Sequence, residues 1–137
     1  MEIYHYQMAA TFARVVLGML LLMQGFDKVF RIKIKGVADT YIMEVPSTPF
    51  PRFMVYLVSF YTSYVEFLGG LILILGLFTY PALYFIALDL AIACLGMSSR
   101  EPLWDMKYVW PRLALLIFLL AIPAEWNQWS LDYLFKI

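Results

Sequence analysis

Cysteine and histidine are almost absent from this 137-residue chain, which holds one of each, Cys94 and His5. A single cysteine can form neither a disulfide within the chain nor a dithiol redox pair. A single histidine cannot supply two axial haem ligands, and a self-contained His/Cys metal site lacks its ligands. We therefore expect no haem, metal or dithiol centre within the chain, assign no catalytic residue, and do not expect the polypeptide to be an enzyme on its own.

Charge is also scarce: 15% of residues are charged, with ten basic and ten acidic side chains. The balance offers no basic surface for nucleic acid, which is excluded as a partner. What is abundant is apolar surface, because 64% of residues are hydrophobic and the mean hydropathy is +0.77. Soluble domains are only about 45–50% apolar. The composition therefore predicts an integral membrane protein, with residues 1–137 forming one domain.

Four apolar segments are long enough to cross a bilayer, which takes about 20 residues. They cover residues 9–30, 53–80, 81–97 and 108–124. Because lipid forces backbone groups to pair within a segment, all four should be helices. The predicted fold class is all-α, a transmembrane four-helix bundle. A break at Thr79–Pro81 would make the middle two spans a tight hairpin.

The connection between the first two spans is amphipathic. Basic and apolar residues alternate over 31–35, so this part is predicted to lie at the lipid surface, and 37–44 is expected to be a short interfacial helix. The two long loops and the helix ends beside them carry eight of the ten Lys and Arg residues. The positive-inside rule then places these loops in the cytoplasm and the termini outside, in a bacterial or archaeal cytoplasmic membrane.

Polar residues within the spans fall on single helix faces. At 100° per residue, one face of the second span holds Glu66 with Ser59, Thr62, Ser63, Gly69 and Gly70. Asp89 shares a face with Gly96 in the third span, and Arg14, Gly18, Gly25 and Lys28 share one in the first, with Gln24 slightly off it. Because small residues permit close helix approach, these faces are predicted to point into the bundle, with the five glycines serving packing.

The buried charges should occur in groups. An ionised side chain at mid-bilayer costs at least about 2.5–3.5 kcal/mol, so the acids should be either protonated or paired with cations. We predict an intramembrane polar cluster, structural or quinone-facing, formed by Gln24, Lys28, Glu66, Asp89 and Arg112. Toward the opposite face, Arg14 is predicted to pair with Asp132 and join the first helix to the tail.

Five short motifs resemble those of the DoxX family. They are RVVLG at 14–18, QGFDK at 24–28, EFLGG at 66–70, LGLFT at 75–79 and SLDYL at 130–134. The resemblance implies a four-helix membrane bundle. It also implies a link to redox complexes, since the family's founding name comes from a subunit of an archaeal thiosulfate:quinone oxidoreductase. Many members carry His where this chain has Gln24, which cannot titrate.

Three functions are compatible with these features. The favoured one is a non-catalytic integral subunit of a larger, redox-associated complex, with other integral membrane subunits and lipids as partners. The alternative is a quinone-binding or proton-relaying component that works with a redox partner and holds a quinone or a lipid. A small-solute transporter is the least favoured, since the chain shows neither paired repeats nor interrupted helices.

Overall fold

The computed structural model describes residues 1–98 and 109–137, apart from the side chain of Met97. All regular secondary structure in these residues is helical, which confirms the predicted all-α transmembrane fold. A π-helical stretch, Asp27–Ile32, joins the first two α-helices, and a 3-10 turn, Ala124–Trp126, follows the fifth. The α-helices are α1 (Glu2–Phe26), α2 (Lys33–Glu44), α3 (Arg52–Leu75), α4 (Thr79–Ser98), α5 (Trp110–Ala121) and α6 (Leu131–Phe135).

Four helices close into a bundle in which α1 packs along α3, α3 on α4, α4 on α5, and α5 on α1. The α1–α3 contact is especially close. A methyl group added at Gly18 would lie 2.8 Å from the carbonyl oxygen of Gly70, and one added at Gly25 would lie 2.7 Å from the backbone carbon of Glu66. Leucines such as Leu17, Leu21 and Leu73 fill the adjoining core.

Three helical segments in the described residues are long and apolar enough to cross a membrane: Glu2–Glu44, α3 and α4. The fourth bundle helix, α5, is shorter than the predicted span 108–124. It ends at Ala121 because Ile122 precedes Pro123 and takes the extended conformation that a following proline favours. Residue 108 lies outside the described residues.

The turn between α3 and α4 differs from the prediction, which ended one span at residue 80 and began the next at Pro81. Gly76 adopts a left-handed conformation (φ 68°) and ends α3 five residues earlier. The Leu77 N–H then bonds back to the Ile72 carbonyl at 3.1 Å, a common way to close a helix. Pro81 falls in the first turn of α4, where backbone N–H groups have no partner within the helix.

The first helical segment begins at Glu2, earlier than the predicted residue 9, and continues through the π-helical stretch into α2. The chain bends at Lys33, whose φ is 64°. The predicted interfacial helix 37–44 lies within α2, but it packs on α3 rather than lying free on the lipid surface. Ala38 is fully buried there, and the Tyr56 hydroxyl of α3 donates a hydrogen bond to Asp39.

Candidate functional site

Glu66 lies on the buried face of α3, and only 1% of its surface is exposed. The small and hydroxyl residues predicted to share this face (Ser59, Thr62, Ser63, Gly69 and Gly70) are buried as well. The hydroxyl groups bond to the helix's own backbone: Ser59 donates to the Val55 carbonyl at 2.7 Å and Ser63 to the Ser59 carbonyl at 2.6 Å. Their O–H groups are therefore already used, and the carboxylate of Glu66 needs partners from other helices.

Those partners are two cations from different elements. Lys28, in the π-helical stretch, places Nζ 2.7 Å from Oε2 of Glu66. Arg112, at the start of α5, places Nη1 3.6 Å from Oε1 and also donates a hydrogen bond to the side-chain oxygen of Gln24. Glu66 thus links three parts of the bundle, and four of the five residues of the predicted cluster form one connected network.

Asp89 is the exception. It is fully buried in α4, yet neither carboxylate oxygen has a hydrogen-bond partner among the described residues. Of the two alternatives predicted for buried acids, protonation or pairing with a cation, pairing therefore holds for Glu66 and not for Asp89. The physical reason lies next to it, because both nearby cations direct their nitrogen atoms at Glu66. We name Gln24, Lys28, Glu66, Asp89 and Arg112 the inner cluster.

A cavity of about 440 Å³ opens beside the inner cluster, between α2, α3 and α4. Lys28, Glu66 and Asp89 form its buried end, and its other walls are mostly apolar. Four of its lining residues are also exposed at the protein surface: the apolar Met54 and Leu95, and the polar Thr40 and Glu44. The size falls within the range of small-molecule sites, about 300–1,000 Å³. Apolar walls with a few convergent polar groups are the usual composition of such sites.

The α2 wall of this cavity was missed by the sequence analysis. Val37, Thr40, Tyr41 and Glu44 line it from one face of α2. Their spacing of three to four residues is that of a single helix face, so the signal was present in the sequence. Across the cavity, Gly96 of α4 approaches the Tyr41 ring: a methyl group at Gly96 would lie 3.8 Å from it, an ordinary contact. Gly96 therefore lines the cavity and does not bring two helix backbones close together.

The other end of the bundle holds the remaining predicted pair, Arg14 and Asp132, and the structure corrects their pairing. Arg14 donates to backbone carbonyls, with Nη1 2.6 Å from Leu73 O and Nη2 2.6 Å from Trp129 O. Asp132 accepts from backbone N–H groups, those of Phe78 at 2.5 Å and Thr79 at 2.7 Å.

The ends of α3 and α4 explain why Arg14 and Asp132 bond to the backbone and not to each other. The last carbonyls of α3 are unbonded within the helix and attract a cation, whereas the first N–H groups of α4 attract a carboxylate. Arg14 thereby joins α1 to the tail through Trp129, and the Asp132 N–H bonds to the Gly76 carbonyl at 2.9 Å. We call this arrangement of Arg14, Gly76, Asp132 and the helix ends they bind the turn clamp.

The described residues contain no group of three or more His, Cys, Asp or Glu side chains that could hold a metal ion. What the cavity offers instead is hydrogen-bonding and ionic groups at a buried end, and apolar walls toward the surface. This combination suits an organic molecule with a small polar head and an apolar remainder.

The family model for DoxX matches residues 9–98, which run from within α1 to the end of α4 and include the cavity's inner acids, Glu66 and Asp89. No curated protein and no solved structure matches the chain. The match covers more than half of the sequence, includes four of the five motifs and agrees with the helical membrane fold. The chain is therefore a multi-pass membrane protein that belongs to the DoxX family.

Proposed function

We propose that this protein is a non-catalytic membrane component of a redox-associated assembly and that it holds a lipid-soluble quinone in the cavity between α2, α3 and α4. The observation that carries the proposal is the cavity itself, about 440 Å³ in volume, with Lys28, Glu66 and Asp89 at its buried end. Other integral membrane subunits are its proposed partners.

The chemistry of the cavity supports a quinone. A quinone ring carries two carbonyl oxygens, which accept hydrogen bonds, and an apolar tail. The buried end supplies two side chains able to meet such oxygens. One is Lys28, whose side chain is 27% exposed although its ammonium group is paired with Glu66, and the other is the carboxyl group of Asp89. Apolar residues such as Val58 and Ile92 line the rest and suit the ring and the tail.

The non-catalytic role follows from what the chain contains. With one cysteine and one histidine, it has no side-chain set for a haem or a dithiol centre. Electrons for a bound quinone would have to come from a partner that carries a redox centre. The founding name of the DoxX family comes from a subunit of a quinone-dependent oxidoreductase. This supports a role in which a partner carries the redox centre and this chain holds the quinone.

Purification from native membranes in a mild detergent tests both halves of the proposal. We expect quinone in the organic extract at up to one molecule per chain, and recovery of further membrane subunits. Glu66→Ala should lose the quinone, whereas Glu125→Ala, an exposed control, should retain it. A wild-type chain that carries no quinone and binds none when it is added would refute the ligand half.

A second candidate is a purely structural subunit, and one observation favours it. Glu66 already binds Lys28 and Arg112, so the inner cluster could serve only to join the π-helical stretch, α3 and α5. In that case Glu66→Gln would lower the yield of the intact assembly, and quinone added to the purified chain would not bind.

We also propose that the loop side of the bundle faces the cytoplasm, as the positive-inside rule predicts. Cysteine introduced at Glu44 or at Glu125, two exposed positions on opposite sides of the bundle, tests this in a Cys94→Ala background. A membrane-impermeant maleimide applied outside intact cells should label position 125 and spare position 44. The reverse pattern would invert the topology.

A further inference from the structure

A few buried side-chain atoms of the described residues lack a hydrogen-bond partner, among them Thr11 Oγ1 and Arg14 Nε, but only Asp89 lacks one at two atoms. No part of its surface is exposed, both of its oxygens lack a hydrogen-bond partner among the described residues, and it lines the cavity. Buried polar groups in native proteins nearly always have a partner. A buried carboxyl group that is left free beside a cavity therefore indicates that its partner is a molecule in that cavity.

The surroundings of Asp89 determine the form in which it can meet a ligand. The charged and titratable groups that act on it are Lys28 from the π-helical stretch, Tyr61 and Glu66 from α3, and Arg112 from α5. Both cations are directed at Glu66, and the Tyr61 hydroxyl donates to the Phe85 carbonyl at 3.0 Å. None of them bonds to Asp89.

A second negative charge at this position would be doubly unfavourable. It would lie out of water without a partner, and it would lie near the negative charge of Glu66. The neutral acid avoids both penalties and gains a function, because a protonated carboxyl group is a hydrogen-bond donor whereas a carboxylate is only an acceptor.

We propose that Asp89, in its neutral acid form, donates a hydrogen bond to a carbonyl oxygen of the molecule held in the cavity. This inference rests on the proposed function and deepens it by assigning the group that recognises the ligand. Lys28, Glu66 and Arg112 form the fixed frame, and Asp89 is the group left free for the ligand.

The proposal predicts a conflict between stability and binding. Without a ligand, the unpaired carboxyl group destabilises the fold, so its replacement by a leucine of similar size should raise the unfolding temperature of the ligand-free protein. The same replacement removes the donor and should weaken ligand binding. A residue with a merely structural role would not change the two properties in opposite directions.

The test uses the full chain in detergent with two probes, a decyl-substituted benzoquinone and decylbenzene, which has the same tail but no carbonyl group. We expect Asp89→Leu to weaken quinone binding by about tenfold, the effect of one lost hydrogen bond, and to leave decylbenzene binding unchanged. Asp89→Asn keeps an N–H donor and should bind the quinone within about threefold of wild type. Asp27→Asn, which changes an exposed acid, is the matched control.

The pH dependence supplies an independent readout. Wild-type affinity for the quinone should fall once the pH is high enough to ionise Asp89, because the donor is then lost. Asp89→Asn should show no such fall. The infrared carbonyl stretch of a protonated carboxyl group should be present in wild type, shift when the quinone binds, and disappear in Asp89→Asn.

The possible failures are distinguishable. If wild type binds the quinone and Asp89→Leu binds it equally well, the role of Asp89 is refuted while the proposed function stands. If Asp89→Asn loses as much affinity as Asp89→Leu, an N–H donor at this position does not replace the acid, and the donor role is refuted. If wild type binds no quinone at any pH, both proposals fail together.

Discussion

The turn clamp and the inner cluster place similar side chains at opposite ends of one bundle and use them differently. In the turn clamp, Arg14 and Asp132 direct their charges at the unbonded ends of α3 and α4. In the inner cluster, Glu66 takes both cations and Asp89 is left without a hydrogen bond among the described residues. At one end the charged groups bond to the backbone, with only Nε of Arg14 left unbonded, whereas at the other end a whole carboxyl group has no hydrogen-bond partner.

Under the proposed function, this difference separates residues that stabilise the fold from residues that bind a ligand. Polar groups that serve stability find their partners within the protein, and the turn clamp does so through main-chain atoms. Polar groups that serve binding stay incomplete until a ligand arrives, and a cavity must adjoin them. Of the two regions, the inner cluster has both an unbonded polar group and an adjoining cavity, because the cavity of about 440 Å³ is lined by Glu66 and Asp89.

The largest expected effect is at Arg14. Arg14→Met removes a buried and a partly buried hydrogen bond from a charged donor, so the free energy of unfolding in detergent should fall by about 3 kcal/mol. Arg31→Met is the control, since that side chain is 74% exposed and its ion pair with Asp27 should contribute less than about 0.5 kcal/mol. Equal losses for the two variants would contradict the turn clamp.

Gly25 is next, because α1 and α3 approach closely there. Gly25→Ala inserts a methyl group against the backbone of Glu66 and Phe67, and the helices must separate, which should lower the unfolding free energy by about 2 kcal/mol. Gly96→Ala is the matched control, because the added methyl group meets only ordinary contacts and removes the helix penalty of glycine. We expect it to stabilise the protein by up to about 1 kcal/mol.

The Lys28–Glu66 pair should show energetic coupling. In a double-mutant cycle of Lys28→Met and Glu66→Gln, the interaction energy should be about 1–2 kcal/mol, reduced from a fully buried value because Lys28 is partly exposed. The same cycle on the exposed pair Asp27 and Arg31 should give less than about 0.5 kcal/mol. Additive effects at Lys28 and Glu66 would mean that the two residues act independently.

Asp132 should give the smallest loss. Asp132→Ala removes the carboxylate that binds the first N–H groups of α4, which should lower the unfolding free energy by about 1 kcal/mol. Asp132→Asn keeps an acceptor oxygen and should lose about half as much. A loss of 3 kcal/mol or more would indicate a direct ion pair with Arg14, since breaking a buried pair costs about 3–5 kcal/mol.

Helical periodicity explains why much of this structure could be predicted. A rotation of 100° per residue placed Ser59, Ser63 and Glu66 on one face, and all three are buried. The same count put Arg14, Gly18 and Gly25 on one line of α1, and these are buried too. Such inferences need only the sequence of one helix. Because polar groups are costly in lipid, the polar face of the helix is expected to point into the bundle.

Contacts between helices could not be predicted in the same way. Whether Lys28 and Arg112 reach Glu66 or Asp89 depends on distances between different helices. The sequence alone allowed either cation to pair with either acid. The early end of α3 depends on the left-handed Gly76, and Arg14 bonds the carbonyls there. The cavity depends on the bend at Lys33, which directs α2 against α3 and leaves a gap toward α4.

The exposed apolar lining residues Met54 and Leu95 bear on the route by which a ligand would enter the cavity. Both are apolar and belong to helices that are long and apolar enough to cross a bilayer, so we expect the gap they border to face acyl chains. A hydrophobic molecule could slip in sideways from the surrounding leaflet without first dissolving in water. Occupancy would then follow the concentration of that molecule within the lipid phase, and its arrival would be a two-dimensional search.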